Sequence, residues 1–398
     1  MAYATLDGLD VSDKRVLLRV DFNTPMKDGA VADATRIERS METITELSKK
    51  GAKVILLSHL GRPDGAQNPE YSLRPVALKL AEILGGPVEF AADCIGAPAK
   101  KAVSRLIGGD VALLENTRFH PGEEANDPEF VKALAENGDL YVNDAFSTAH
   151  RAHASTEGLA HVLPHAAGRA MEKELDYLTA ALGNPARPLL CVVGGAKVST
   201  KIDMLMNLVR KADMVAVGGG MANTFLFAKG RAVGKSLCEP GHVETARAVF
   251  AEAEREGCAL ILPVDVVVAK KFEAGAEHRV AAVGAIAEDD MILDLGPDSV
   301  DRLAATISEV KTLVWNGPLG AFETPPFDTA TVEAARFAAK CAQEKGLVAV
   351  AGGGDTVAAL NHARATDGFT YVSTAGGAFL EWLEGKELPG VRALERGA

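Results

Sequence analysis

An apolar run that ends in polar groups sets the architecture of this chain: Val16-Leu-Leu-Arg19-Val-Asp21-Phe-Asn23-Thr-Pro25. Charged side chains interrupt what should be a buried strand, and polar groups at strand ends usually face a ligand. In an open α/β sheet the ligand crevice lies beyond the carboxyl ends of the strands, so Asp21 and Asn23 would offer fixed donors and acceptors there. The alternative is a turn in which the Asp and Asn side chains bond their own backbone.

Three further apolar runs of strand length end in the same way. They lead into Ser58-His-Leu-Gly-Arg-Pro63, Glu115-Asn-Thr-Arg118-Phe-His-Pro-Gly122 and Asn143-Asp-Ala-Phe-Ser-Thr-Ala-His150-Arg-Ala-His153. Each loop carries an arginine, so we expect a cationic cluster at one edge of one sheet. The planar guanidinium matches phosphate and carboxylate oxygens, which favours a small phosphorylated metabolite as the ligand. The alternative is that each arginine pairs with a nearby acid, as Arg118 could with Glu115, Glu123 or Glu124.

The bulk composition excludes several classes of protein. The chain has 398 residues, which suggests two domains, and its net charge of -12 argues against nucleic acid as a partner. No apolar stretch reaches the roughly 20 residues that span a bilayer, and no signal peptide is evident, so we expect a cytoplasmic protein with no membrane partner. The five cysteines are scattered, which predicts reduced, mostly buried thiols. No His or Cys pair has zinc-ligand spacing, so we expect no structural metal.

Strand-like runs alternate with amphipathic helical stretches along nearly the whole chain. This pattern predicts an α/β fold with mainly parallel sheets built from βαβ units. A second series of strands is predicted at residues 189–193, 214–217, 260–264, 312–315 and 348–351. Between the two series, residues 170–182 form an apolar stripe at helical spacing, followed by a Gly-Asn-Pro stop. We expect the domain boundary in or near this helix.

Glycine-rich turns follow the strands of the second half. They read Gly194-Gly-Ala-Lys197-Val-Ser-Thr-Lys201, Gly218-Gly-Gly-Met-Ala-Asn223, Gly352-Gly-Gly-Asp-Thr356 and Ser373-Thr-Ala-Gly-Gly-Ala378. Glycine lets the backbone approach a ligand closely, and a helix that begins just afterwards points free N–H groups at an anion. Each turn alone is more often just a tight turn, since glycine is the default turn residue. Together, and with lysine, acid and hydroxyl neighbours, the four turns favour nucleotide binding.

Familiar signatures of other enzymes are absent. Gly230-Arg-Ala-Val-Gly-Lys-Ser236 is one residue short of a Walker A loop and follows no strand, so we interpret it as a surface connection. The dinucleotide pattern G-x-G-x-x-G and the hydrolase elbow G-x-S-x-G do not occur.

Ten motifs in order make the chain resemble the phosphoglycerate kinase family over essentially its whole length. Besides the loops quoted above they include Leu293-Asp-Leu-Gly-Pro297 and Trp315-Asn-Gly-Pro-Leu-Gly-Ala-Phe-Glu323. The resemblance implies two Rossmann-like domains joined by a hinge helix. It places 3-phosphoglycerate on residues 1–170, with 380–398 folding back onto that domain, and the Mg-nucleotide on residues 171–379.

The resemblance also implies the site residues, here given in this chain's numbering. The triose site would consist of Asp21, Phe22, Asn23, Arg36, His59, Leu60, Gly61, Arg62, Arg118, His150 and Arg151. The nucleotide site would consist of Lys201, Gly219, Glu323, Gly353, Gly354, Asp355 and Thr356, with Lys201 on phosphate, Glu323 on the ribose and Asp355 near magnesium. Arg36, Lys197, Gly376 and Gly377 would be the catalytic residues that meet the transferred phosphoryl group. Arg36 could instead pair with Asp33 at a helix start.

The implied reaction moves a phosphoryl group between ATP and 3-phosphoglycerate and gives ADP and 1,3-bisphosphoglycerate. The expected cofactor is Mg²⁺ bound to the nucleotide, and the expected state is a monomer whose domains close over the substrates. Departures from the family pattern, at Thr200, Leu295 and residues 38–42, touch no charged site residue.

Overall fold

A computed structural model describes residues 3–395. The described chain divides into two compact units, one made of residues 3–175 together with 387–395, the other of Asp176–Lys386.

The first unit is built on a six-stranded sheet in the order β5-β6-β4-β1-β7-β8, in which every neighbouring pair is parallel. Its strands are β1 (Arg15–Arg19), β2 (Met26–Lys27), β3 (Ala30–Val31), β4 (Lys53–Leu57), β5 (Val88–Ala91), β6 (Val111–Leu114), β7 (Leu140–Asn143) and β8 (His165–Ala167), of which β2 and β3 form a separate ribbon. Its helices are α1 (Thr35–Lys49), α2 (Arg74–Leu84), α3 (Gly96–Val103), α4 (Pro121–Glu124), α5 (Pro128–Ala135), the first part of α6 (Arg169–Leu178), and the C-terminal α14 (Pro389–Arg392).

The second unit repeats this plan with a parallel sheet in the order β11-β10-β9-β15-β16-β17. Its strands are β9 (Leu189–Val193), β10 (Met214–Val217), β11 (Ala259–Ile261), β12 (Asp265–Ala269), β13 (His278–Ala282), β14 (Met291–Leu295), β15 (Thr312–Asn316), β16 (Val348–Gly352) and β17 (Tyr371–Ser373). Its helices are α7 (Ile202–Lys211), α8 (Gly219–Ala228), α9 (Val243–Glu256), α10 (Pro297–Glu309), α11 (Thr329–Lys345), α12 (Gly354–Ala363) and α13 (Gly377–Leu383). The predicted fold class, two α/β units on mainly parallel sheets, is confirmed.

The central strands are apolar along their length because helices cover both faces of each sheet. All four residues of β6 and all five of β9 are buried. Strand β1 lies between β4 and β7, so the polar residues that follow it stand at the middle of the sheet edge.

Two local predictions differ from the structure. The strand predicted at 260–264 ends at Ile261, because Pro263 cannot donate to the ladder, and the chain then turns into β12 of a three-stranded antiparallel sheet. The helix predicted at 170–182 is α6 followed by a π-helical turn at Thr179–Gly183. Helix α6 begins where it does because the buried Asp144 carboxylate accepts the N–H groups of Ala170 and Met171, at 2.8 and 3.1 Å.

The thiol prediction is confirmed, since the five cysteines are free and only Cys238 is partly exposed. Within residues 3–395, no helix combines the length and the apolar character that crossing a bilayer requires.

We expect Leu17→Ala to lower the free energy of unfolding of the first unit by about 2 to 5 kcal/mol, because Leu17 is fully buried in β1. The matched control is Leu78→Ala on α2, where the side chain is 66% exposed and the change should stay within about 0.5 kcal/mol. Urea unfolding followed by circular dichroism measures both. Equal losses in the two variants would contradict this assignment of the core.

Candidate active site

Four arginines from separate segments of the first unit act on His59, which follows β4: Arg19 ends β1, Arg36 lies on α1, and Arg118 and Arg151 follow β6 and β7. His59 is buried, and its pKa lies well below the usual value because of burial first and then the charges of Arg19, Arg118, Arg151 and Arg36. Four segments far apart in sequence therefore contribute positive charge to one region. Arg19, Arg118 and Arg151 come from three of the four strand-end loops in which a cluster was predicted, and the convergence of the fourth loop, with Arg62, stays a prediction.

Arg19 fixes the state of the His59 ring. Its side chain is 1% exposed and donates to Ser155 Oγ at 2.8 Å and to the Val20 carbonyl oxygen. Its Nη2 lies 3.1 Å from His59 Nδ1. Since a guanidinium can only donate, Nδ1 accepts and the neutral ring carries its proton on Nε2. His59 is thus held as an N–H donor.

Asp21 and Asn23, the polar residues after β1, make contacts within the protein at the edge of the sheet. Asp21 forms an ion pair with Arg36 and also accepts the Asn23 N–H at 3.1 Å, so the alternative turn interpretation is partly correct. Asn23 Oδ1 accepts the Gly61 N–H at 2.9 Å. The alternative partner for Arg36, Asp33, instead accepts from Thr35.

The remaining cations of the cluster differ in their partners. Arg118 is buried, donates to the Gly61 carbonyl oxygen at 2.8 Å, and lies 3.0 Å from Glu124 as an ion pair. The acid-pairing alternative is therefore right for Arg118. Arg151 donates to His150 Nε2 at 3.2 Å. Arg62 is exposed, and within the described chain its side chain makes no hydrogen bond or ion pair.

Two predicted triose residues lie in the core. The Phe22 side chain is fully buried, and its N–H donates to Ser58 Oγ at 2.9 Å, so neither group is available to a ligand. The Leu60 side chain is 3% exposed and packs in the same core.

In the second unit a cavity of about 380 Å³ opens at the carboxyl ends of the strands. Its walls are mainly apolar, with Leu237, Phe272 and Leu319 among them, and its polar contributors include the carboxylates of Glu323 and Asp355. Gly219 also lines it, as predicted for the nucleotide site. The volume and the mixture of apolar wall and few polar groups are typical of a small-molecule site.

Lys201 lies beside Gly195, which lines this cavity, and contacts carbonyl and amide oxygens rather than acids. Its Nζ donates to the Gly194 carbonyl oxygen and to Asn316 Oδ1, both at 2.6 Å. Burial lowers the pKa of Lys201 to about 8, with Asp355 acting in the opposite direction. A bound phosphate would raise the pKa of Lys201 again, because an adjacent anion favours the protonated amine.

The glycine turns pack closely against one another, which explains their composition. A Cβ on Gly194 would lie 1.8 Å from the Pro318 carbonyl oxygen. Gly219 has a φ of +65°, and a Cβ there would lie 2.7 Å from the Gly195 carbonyl oxygen. The tight-turn interpretation and the phosphate-cradle interpretation are therefore compatible, since both require bare backbone.

The other predicted nucleotide residues fall into two groups. Thr356 is buried, and its hydroxyl accepts the Gly317 N–H at 2.7 Å, while Gly353 precedes the first turn of α12. Gly354 and Asp355 are exposed at the start of that helix. Lys197, Gly376 and Gly377 lie outside the lining of the cavity, and the exposed Lys197 side chain has no ion-pair partner among the described residues.

Comparison with known proteins shows the relationship. The family model described as phosphoglycerate kinase matches residues 6–386. The phosphoglycerate kinase of Chelativorans sp. (strain BNC1) is 63% identical over 395 residues, covering 99% of each chain. The chain belongs to the phosphoglycerate kinase family. The phosphoglycerate kinase of Brucella abortus biovar 1 (strain 9-941) is also 63% identical, over 396 residues and 100% of both chains.

Solved structures of phosphoglycerate kinases agree. That from Coxiella burnetii has a TM-score of 0.93 and 42% identity, and that from Pyrococcus horikoshii OT3 has a TM-score of 0.80 and 33% identity. Each comparison covers 98% of both chains.

Reasoning from the sequence did not single out several residues that organise this candidate site. Arg19, Ser155 and Asn316 position His59 and Lys201, and all three are buried. Only Arg19 and Asn316 carried a signal, because each is a polar residue at the carboxyl end of an apolar strand.

We expect the pKa of His153, which burial and then Arg118 and Arg151 lower to about 4, to rise in Arg151→Gln. Removing a positive neighbour makes the protonated imidazole less unfavourable. Arg105→Gln is the control, because Arg105 is exposed and pairs with Glu89. Proton NMR titration of the histidine rings is carried out on all three proteins. A His153 pKa near 6.5 in the parent protein would contradict the proposed effect of burial and of the neighbouring arginines.

Proposed function

We propose that this chain catalyses the glycolytic transfer of a phosphoryl group between ATP and the carboxylate of 3-phosphoglycerate. The observation that carries the proposal is the set of four arginines whose charges converge on the buried, neutral His59. Among the described residues Arg36 and Arg118 pair with carboxylates whereas Arg19 and Arg151 do not, so the cluster favours an anionic ligand that balances the remaining charge. The phosphate and carboxylate of a phosphoglycerate supply that balance, and the family to which the chain belongs agrees.

We propose that the first unit holds the triose through groups with distinct tasks. Arg62 and Arg151 have no carboxylate partner in the described chain, so they are available to phosphate oxygens. His59 would donate from Nε2, and Asp21 and Asn23 would offer acceptors to a hydroxyl. Arg36, positioned by its ion pair with Asp21, would meet the carboxylate and the incoming phosphoryl group. Phe22 and Leu60 would support these loops from the core.

The nucleotide is proposed to occupy the cavity of the second unit. The apolar wall suits a base, Glu323 is exposed for a ribose hydroxyl, and the start of α12 at Gly354 faces phosphate with unpaired N–H groups. Lys201 would exchange its backbone contacts for a phosphate oxygen. The domain roles expected from the sequence, triose on 1–170 with 380–398 and nucleotide on 171–379, remain part of this proposal.

Magnesium is proposed to enter with the nucleotide. The exposed Asp355 carboxylate makes no hydrogen bond or ion pair within the described chain, and a single free carboxylate beside a phosphate site fits the oxygen ligands that Mg²⁺ takes. When bound, the ion would neutralise charge on the nucleotide phosphates.

The chemistry requires no general base, because the acceptor is a carboxylate that is already ionised near neutral pH. What the protein must supply is alignment and compensation of charge on the phosphoryl oxygens. Arg36, Lys197 and the amides of Gly376 and Gly377 are the proposed donors. The cytoplasmic location and monomeric state expected from the sequence stay predictions.

We expect Lys197→Ala to lower kcat by about 10²- to 10³-fold while nucleotide affinity changes little, because the lysine would act on charge that develops in transfer. The measurement is a coupled assay with ATP and 3-phosphoglycerate in which NADH oxidation reports the acyl phosphate, with nucleotide binding measured in parallel. Lys340→Ala, which removes an exposed lysine of α11, is the control and should match the parent.

Two results would contradict this scheme. A Lys197→Ala enzyme within tenfold of the parent rate would remove that residue from the transfer step. A parent protein that binds both ligands without turnover would instead favour a non-catalytic anion-binding protein.

Domain closure is the remaining part of the proposal. A triose on one domain and a nucleotide on the other must be brought together, with water excluded from the acyl phosphate. We expect small-angle scattering to give a smaller radius of gyration with both substrates than with either alone. The same value in all three states would argue against closure.

A further inference from the structure

A mixed cluster of metal-binding side chains lies outside the site described above, in the first unit. Asp93, Cys94 and His120 each place one ligand atom so that all of these atoms lie within 4.8 Å of one another. The three atoms are a carboxylate oxygen, a sulfur and an imidazole nitrogen. Neither the proposed triose site nor the nucleotide site uses any of them.

The fold, and not the spacing in sequence, creates this cluster. Strands β5 and β6 are parallel neighbours, paired through Phe90 with Leu113 and Ala91 with Leu114. Asp93 and Cys94 follow the end of β5, and His120 follows the end of β6 after one turn of 3₁₀ helix. The two loops therefore emerge at the same edge of the sheet.

Two of the side chains are already held in place. Asp93 Oδ1 lies 2.7 Å from His120 Nε2 and accepts the Cys94 N–H at 2.7 Å. Asp93 Oδ2 makes no hydrogen bond within residues 3–395 and is available as a ligand. The His120 ring stacks on Phe130 with a centroid separation of 5.1 Å, which fixes its plane. Asp93 and His120 side chains are 24% and 26% exposed, which leaves a path for an ion.

We propose that Asp93, Cys94 and His120 form a zinc site. Thiolate and imidazole ligands suit Zn²⁺, whereas Mg²⁺ prefers oxygen ligands alone. Tetrahedral bonds of about 2.0 to 2.3 Å separate ligand atoms by about 3.5 Å, which lies inside the 4.8 Å within which all three ligand atoms fall. Three protein ligands leave the fourth position to water. The inference replaces the expectation, drawn from sequence spacing, that no structural metal is present.

Calorimetric titration of metal-free, full-length protein with zinc sulfate tests the site. We expect one ion per chain, and Co²⁺ in its place should give a thiolate-to-metal charge-transfer band. Loss of a ligand should weaken zinc binding by more than about tenfold, the smallest effect typical even of a ligand's hydrogen-bond partner. Cys94→Ala and His120→Ala are the two test variants.

The controls remove the same residue types elsewhere. Cys238→Ala deletes the partly exposed thiol, and His161→Ala deletes a histidine that pairs with Glu157 much as His120 pairs with Asp93. Both should bind zinc as the parent does. Because Cys94 is buried, circular dichroism is used to check that Cys94→Ala folds. If it does not fold, zinc binding by His120→Ala and the cobalt spectrum of the parent test the proposal. No stoichiometric binding by the parent, or unchanged binding by folded ligand variants, overturns the proposal.

Discussion

The buried guanidinium of Arg19 is the constraint on which the first unit's site depends. A charge taken out of water is tolerated only where its donors are satisfied and an opposite charge is near. Arg19 meets both conditions, through the Val20 carbonyl oxygen, His59 and Ser155, whose hydroxyl in turn donates to the buried Glu123. These partners come from different segments of the chain. The hydrogen bonds of the Arg19 side chain therefore hold those segments in fixed relative positions. Removing any one partner would leave a buried polar group without compensation.

The second unit solves a similar problem with backbone. Around Lys201 the acceptors are carbonyl and amide oxygens, and the neighbouring turns are bare of side chains so that they can pack within van der Waals distance. Burial without an ion-pair partner explains why this amine loses its proton more readily than an ordinary lysine. The two units therefore differ in how they present positive charge to an anion. The first unit uses several arginines, and the second uses oriented backbone dipoles together with the amine of Lys201.

The arginine cluster of the first unit and the glycine-rich pocket of the second both depend on the parallel arrangement of the strands. Every neighbouring pair in the two six-stranded sheets runs in one direction, so all carboxyl ends of a sheet lie on one side. The loops on that side can carry polar residues without disturbing the buried strands, and the proposed zinc cluster uses the same edge of the first sheet. The overall negative charge of the chain stays compatible with a local positive site, because Arg19, Arg36, Arg118 and Arg151 all act on His59.

The sequence by itself determined the fold class, the strands that end in ligand-type loops, and the family. These are local properties, carried by apolar runs, glycine turns and motif order. It did not determine which side chains meet. That Arg36 pairs with Asp21 and not Asp33, and that Phe22 and Leu60 turn into the core, depend on packing around each residue. The meeting of Asp93 and Cys94 with His120, and of Arg19 with Ser155, was decided only by the tertiary structure, because strand order places distant segments side by side and sequence spacing carries no record of that order.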